Sequence, residues 1–184
     1  NSNWLTTDAA VKAKALLSAS LGYIEHATMY AGYNVNNMLK LSTVLAACGT
    51  FTRTPSGTVA DTSALKDYIS GVQLNIADTV RFRFNLKTNS TVSFEVIDDA
   101  GRWGARDAIV GDGYVELSLR AYELNKDIRI TIDGKSCTYN LYTYYNALQT
   151  LMSNAGDTGV KFEYNAALRF IQQLYTYAAI TDEQ

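Results

Sequence analysis

The chain has 184 residues, 47% of them apolar, which is enough for a core without disulfide or metal support and is the size of one ordinary domain. Its 16 basic and 18 acidic residues leave a formal charge of −2 with both signs scattered, so it offers no electrostatic footprint for nucleic acid or an anionic membrane. With 12 glycines and one proline the chain is neither collagen-like nor disordered, and its longest mostly apolar stretches, Ala13–Leu21 and Ala147–Met152, are too short to span a bilayer.

The first predicted element is a helix. Thr6, Thr7 and Asp8 supply N-cap chemistry before an alanine-rich segment from Ala9 to Ala31, and Gly32 stands where a helix terminator belongs. Ala13, Leu17, Leu21, Ile24, Thr28 and Ala31 step by three or four residues and predict the buried stripe, with Lys12, Ser18, Gly22 and Glu25 off it. Asn34 or Asn36 caps a shorter helical segment carrying Met38, Leu39, Leu41, Val44 and Leu45. Gly49 to Ser63, with Pro55, reads as an irregular connector.

The middle of the chain reads as β-structure. Val80, Phe82 and Phe84 alternate with Arg81 and Arg83, and the same period of two recurs in Val92–Val96, Val115–Leu119 and Ile128–Ile132. The last of these runs into Asp133-Gly134, a hairpin signal, while Val72 and Leu74 start the sheet one strand earlier. About five short strands with one polar face predict a small antiparallel sheet or sandwich. Arg81, Arg83, Glu95, Glu116 and Arg129 are expected to form one charged ladder on its outer face. Asn140 then caps a helix with Leu141, Tyr145, Leu148 and Met152 on one face. Asn154 to Gly159 breaks it, and a last helix from about Lys161 to Ala179 carries the stripe Tyr164, Leu168, Ile171, Tyr175 and Ala178. The two outer helices resemble each other: Leu21, Tyr23, Ile24, Tyr30 and Ala31 match Leu168, Phe170, Ile171, Tyr177 and Ala178 at equal offsets, which allows the two to pack together.

The expected fold is therefore α+β, a small antiparallel β-sandwich-like unit packed with N-terminal and C-terminal helices. It is read as a single module over 1–184: helices to 47, a connector over 48–67, a β-unit over 68–138 and helices over 139–184.

Chemistry-bearing residues are few. His26, the only histidine, lies in the first helix, where a solvated surface position is the default, so a Ser-His-Asp or Cys-His arrangement has little to build on. Cys48 and Cys137 read as two buried small apolar residues or as one bridge, and two cysteines with one histidine do not make a structural zinc site. No nucleotide loop, dinucleotide fingerprint or zinc-protease motif occurs, so neither a cofactor nor a metal is expected. A glycosidase needs only two carboxylates, and Glu95, Asp98, Asp99, Asp107, Asp112 and Glu116 are available, but spacing alone does not single out a pair.

The most distinctive segment is Asp98-Asp-Ala-Gly-Arg-Trp-Gly-Ala-Arg-Asp-Ala-Ile-Val-Gly-Asp-Gly113, expected as a loop between two strands. Trp103 with Arg102, Arg106, Asp98, Asp99, Asp107 and Asp112 has the composition of a glycan site, since an indole stacks on the C–H face of a sugar while charged groups bond its hydroxyls. The competing reading is a Trp103 that plugs the sheet end, with the acids and arginines paired in solvent. The 13 tyrosines divide in the same way between helix packing and an interaction surface.

Leu21-Gly-Tyr-Ile-Glu-His-Ala-Thr-Met-Tyr-Ala-Gly-Tyr-Asn34 resembles a recurrent helix of large secreted surface proteins from anaerobic Gram-positive gut bacteria, which reads Leu-Asn-Tyr-Gly-Ala-Tyr-Ala-Gln-x-Tyr-Phe-Gly-Tyr-Asn. Val80–Phe84, Tyr114–Lys126, Thr138–Tyr145 and Leu168–Ala178 resemble further parts of the same non-catalytic module, so the resemblance covers Leu16–Asn34 and about Tyr68–Ala179. Ile24 stands where that family has glycine, and Glu25-His26 replaces small or aromatic residues. The resemblance implies an immunoglobulin-like β-unit with a closing helix, an extracellular location at the bacterial surface and a longer parent chain, and it brings no catalytic or binding residue with it. The expected function is a non-catalytic structural or protein-interaction module whose partners are neighbouring domains or other surface proteins. The alternative is a carbohydrate-binding module using Trp103 and exposed tyrosines, with polysaccharide as partner. A glycoside-active enzyme is the distant third.

Overall fold

A computed structural model of the chain describes residues 8–30, 54–76 and 79–182. The expected caps Thr6, Thr7 and Gly32, the segment Asn34–Leu45 and Cys48 lie outside the described residues. The fold is α+β, with two antiparallel four-stranded sheets and three helices among the described residues. The chain divides into two compact units, one spanning Ser56–Asn146 and the other combining Asn1–Pro55 with Ala147–Gln184.

The first unit is a β-sandwich. Its strands are β1 (Ile69–Ile76), β2 (Val80–Leu86), β3 (Val92–Ile97), β4 (Trp103–Arg106), β5 (Ile109–Gly111), β6 (Tyr114–Leu119), β7 (Ile128–Ile132) and β8 (Lys135–Tyr139). One sheet has the order β1-β2-β6-β5 and the other β4-β3-β7-β8. Large apolar residues at every second position point inward, because a strand that buries one face must place them two apart. Phe82, Phe84, Val115 and Leu117 of the first sheet are buried, as are Phe94, Val96, Ile128, Ile130 and Ile132 of the second. The faces meet through aromatic rings: the Phe84 centroid lies 5.5 Å from that of Phe94 and 5.5 Å from that of Tyr139, and Phe82 meets Tyr139 edge-on at 5.6 Å.

Among the described residues eight strands stand where about five were expected. The turn Asp133-Gly134 has both residues at positive φ, 47° and 80°, the geometry of a tight hairpin whose twist matches its strands, and β8 is its second arm. The predicted loop Asp98–Gly113 contains two strands, one in each sheet: β4 pairs with β3, and β5 pairs with β6 through a turn at Asp112-Gly113. Gly111 is opposite Tyr114, whose ring covers it so closely that a Cβ at 111 would overlap the ring. The charged ladder is likewise two ladders. Arg81 and Arg83 converge on Glu116 over the first sheet, whereas Arg129 pairs with Glu95 over the second.

The second unit contains helix α1 (Asp8–Tyr30) packed along helix α3 (Thr158–Asp182). Between β8 and α3 runs helix α2 (Leu141–Asn154), which crosses the boundary between the units. Asn140 caps α2 as expected: its Oδ1 accepts the Thr143 backbone N–H at 2.8 Å, and Leu141, Tyr145 and Leu148 are buried. The break after α2 is shorter than predicted, because Asp157 Oδ1 accepts the Val160 N–H and starts α3 at Thr158, so Gly159 is helical.

The α1 stripe requires a correction. Leu17 is 47% and Ile24 45% exposed, and Ala13 is exposed too, while Ser18, Ala19 and Gly22 are buried. The reason lies in the partner. Helix α3 brings the large side chains Phe170, Ile171 and Leu174, all buried, and a helix that packs closely against bulk does so with its small face. Tyr23 closes the contact, with its ring 5.8 Å from Phe170 and stacked 5.7 Å from Tyr177.

Candidate functional site

Antiparallel pairing of β3 with β4 places the turn Asp98–Arg102 at one end of the second sheet. Asp98 organises that turn. Its Oδ1 accepts the backbone N–H groups of Ala100 and Arg102 at 2.9 and 2.8 Å, and its Oδ2 accepts from the Arg102 guanidinium at 2.8–2.9 Å. Gly101 supplies the positive φ of 76° that the reversal requires. The Arg102 backbone N–H, more than any other group, holds the Asp98 carboxyl below the usual carboxylate range.

Beside this turn runs the crossing from β6 to β7. Ala121–Glu123 forms a single 3-10 turn, closed by Glu123 Oε2 accepting the Arg120 N–H at 2.9 Å, and Ile97 N–H donates to the Asp127 carbonyl at 3.1 Å. Two ion pairs bind the crossing to the β3–β4 hairpin: Lys126 Nζ donates to Asp99 Oδ1 at 2.5 Å, and Arg106 pairs with Glu123, which is buried.

Between the hairpin and the crossing lies a cleft of about 450 Å³. Val96, Ile97 and Gly104 line it from β3 and β4, Asp98, Asp99, Arg102, Trp103 and Arg106 from the hairpin, and Tyr122, Glu123 and Lys126 from the crossing. Five of the seven residues singled out in the sequence thus come together: Asp98, Asp99, Arg102, Trp103 and Arg106. The other two do not. Asp107 sits where the chain passes from one sheet to the other and Asp112 in the β5–β6 turn, and both are exposed outside the cleft. Trp103 is half-buried with the Arg129 guanidinium 4.1 Å from its ring centroid, so one ring face is already covered. Tyr122 was not foreseen. It is 39% exposed, and its hydroxyl accepts from Arg120 Nη1 at 2.8 Å. Nothing local in Ala121-Tyr-Glu123 marks these residues as neighbours of Trp103, since a sheet-to-sheet crossing brings them there.

The remaining candidate acids lie apart. Glu116, 4% exposed, accepts from Asn75 Nδ2 at 2.8 Å, Arg83 Nε at 2.7 Å and Arg81 Nη1 at 3.3 Å on the outer face of the first sheet. Burial alone pushes its carboxyl up, but the bonds from Arg83, Asn75 and Arg81 outweigh this and leave it lowered. Glu95 is engaged by Arg129 over the other sheet. Cys137 is a free, buried thiol on β8, pushed up to about 11 by burial and by the charge of Asp61. His26 lies within α1, and its side chain is outside the described set. Among the described residues no three histidine, cysteine or acidic side chains are grouped to hold a metal ion, and no helix is long and apolar enough to cross a membrane. Comparison with protein-family models, with curated proteins and with solved structures gave no match for this chain.

Proposed function

We propose that the chain is a non-catalytic structural or protein-interaction module of a larger extracellular cell-surface protein. The observation that carries this reading is its chain order: the β-sandwich unit is an insertion between two segments, 1–55 and 147–184, that belong to one compact unit. Such an arrangement returns the chain to the unit it left, which suits a part that spaces or displays its neighbours. The resemblance to modules of bacterial surface proteins points the same way and supplies the extracellular setting. The test is an antibody against the purified chain, applied to intact cells that make it. Labelling that protease shaving removes, with cross-links to other surface proteins, is the expected result; confinement of the antigen to the cytosol overturns the location, and product release from a polysaccharide panel overturns the non-catalytic reading.

A second reading, carbohydrate binding, is favoured by one specific observation: Asp98, Asp99, Arg102, Trp103 and Arg106 line a single cleft together with Tyr122. An aromatic ring beside paired hydrogen-bonding groups suits a sugar's alternation of C–H face and hydroxyl rim. Affinity electrophoresis against plant and mucin polysaccharides separates the two readings, since retention favours the sugar and its absence favours protein partners.

A further inference from the structure

Building on the carbohydrate reading of the cleft, we infer that its ligand is an uncharged pyranose unit of a polysaccharide and that Tyr122, rather than Trp103, is the ring on which the sugar stacks. The charge of the lining carries the first half. Asp98, Asp99 and Glu123 stand against Arg102, Lys126 and Arg106, and each acid is paired with one of these cations. Among the lining residues an acidic sugar meets no surplus positive charge, and Arg120, which is not one of them, donates to the Tyr122 hydroxyl. To reach the Arg102 guanidinium, which is 80% exposed, its carboxylate has to displace Asp98, exchanging one ion pair for another while two backbone N–H groups keep Asp98 in place.

A neutral hydroxyl needs no such exchange. A carboxylate has about four acceptor positions and a guanidinium five donors, so Asp99 and Arg102 can each bond a hydroxyl while keeping their own partner. The cleft volume of about 450 Å³ falls in the range of small-ligand sites, roughly 300–1,000 Å³.

The aromatic lining carries the second half. Stacking requires an open ring face held in a fixed direction, because ordering a mobile ring on binding costs entropy. Arg129 covers one face of Trp103 and is itself held by Glu95 at 3.0 Å, so that indole already belongs to the outer face of the sheet. Tyr122 is more open, and its hydroxyl accepts a hydrogen bond from Arg120, which restricts the directions its ring takes.

The experiment is affinity electrophoresis of the whole chain in gels cast with galactomannan, mixed-linkage β-glucan or polygalacturonate, each with and without ~1 M NaCl, where charges are screened beyond about 3 Å. The expected result is retention on a neutral polysaccharide that survives salt and is weakened roughly tenfold or more in Tyr122→Ala. Arg102→Ala is expected to weaken retention less, and both variants to keep the melting temperature of the wild type, since both side chains are exposed. Retention only on polygalacturonate, abolished by salt, overturns the neutral ligand and leaves the carbohydrate reading standing. Retention on a neutral gel that neither variant alters overturns the cleft as the site and again leaves that reading standing. No retention on any gel overturns both.

Discussion

The sandwich and the α1–α3 helix pair obey the same rule of apolar burial, yet the rule can be read from sequence in only one of them. A strand has two faces, and in β2 and β7 all the large apolar residues fall on one of them, so Phe82, Phe84, Ile128, Ile130 and Ile132 mark the core without knowledge of the partner sheet. An alanine-rich helix is apolar over much of its circumference. In α1 the larger residues Leu17 and Ile24 are exposed and the small ones Ser18, Ala19 and Gly22 are buried, with Gly22 and the neighbouring Tyr23 against α3. Hydrophobicity alone does not choose the face, because the side-chain size that fits at each position depends on the partner.

The strongest way to break this contrast is to empty an inward position of the sandwich. Phe84 is 1% exposed and touches Phe82, Phe94 and Tyr139, so Phe84→Ala is expected to cost about 3–5 kcal/mol in urea unfolding. A loss below about 1 kcal/mol would mean that the sheets do not depend on this aromatic contact.

Next in size is the outward side of the same sandwich. Glu116→Gln removes the charge that gathers Asn75, Arg81 and Arg83, and is expected to cost about 1.5–3 kcal/mol near neutral pH. Because the folded carboxyl is lowered, its contribution is complete above the unfolded value of about 4.3 and is lost as pH falls through the folded one. The difference between wild type and variant should therefore shrink from about pH 7 to about pH 3; a constant difference would sink the assignment to the ionised carboxylate.

How much of the candidate site was legible follows the same logic. Asp98 to Arg106 is one hairpin, so its residues are neighbours by local geometry, and the sequence brings them together without help from the rest of the fold. Tyr122, Glu123 and Lys126 reach the cleft only because β6 and β7 lie in different sheets, a tertiary fact with no local signal. Strands β4 and β5 were hidden for another reason. Trp-Gly-Ala-Arg and Ile-Val-Gly are too short and too rich in glycine to show a period of two. Yet Asp112-Gly113 repeats the turn dipeptide Asp133-Gly134 and could have revealed the β5–β6 hairpin.

The helical side of the contrast is tested by reversing the stripe. Ala19 is fully buried, so Ala19→Leu forces bulk into the packed side of α1 and is expected to cost about 1–3 kcal/mol. Leu17→Ala and Ile24→Ala, on the outward face, are expected to stay within about 0.5 kcal/mol of wild type. Thermal melts of the three variants decide it. If the two truncations destabilise and Ala19→Leu does not, the leucine–isoleucine stripe is the packed face after all.

The smallest change probes the edge of the sandwich. Cys137 lies on the edge strand β8 opposite Ile130 of β7, and its inward position follows from the strand period despite a side chain too small to show in the apolar pattern. Burial first, and the charge of Asp61 second, raise its thiol to about 11, so at about pH 8 only roughly one molecule in a thousand carries the reactive thiolate. For a thiol raised in the folded state the stabilisation is whole below the unfolded value of about 8.5 and is lost as pH rises towards 11. In a Cys48→Ser background, which leaves Cys137 as the one thiol, modification by a thiol reagent at about pH 8 should be as slow as opening of the sandwich, while urea exposes it at once. Fast labelling of the native chain would place β8 in a frayed edge, and the core would then close at β7 and the Phe84 ring.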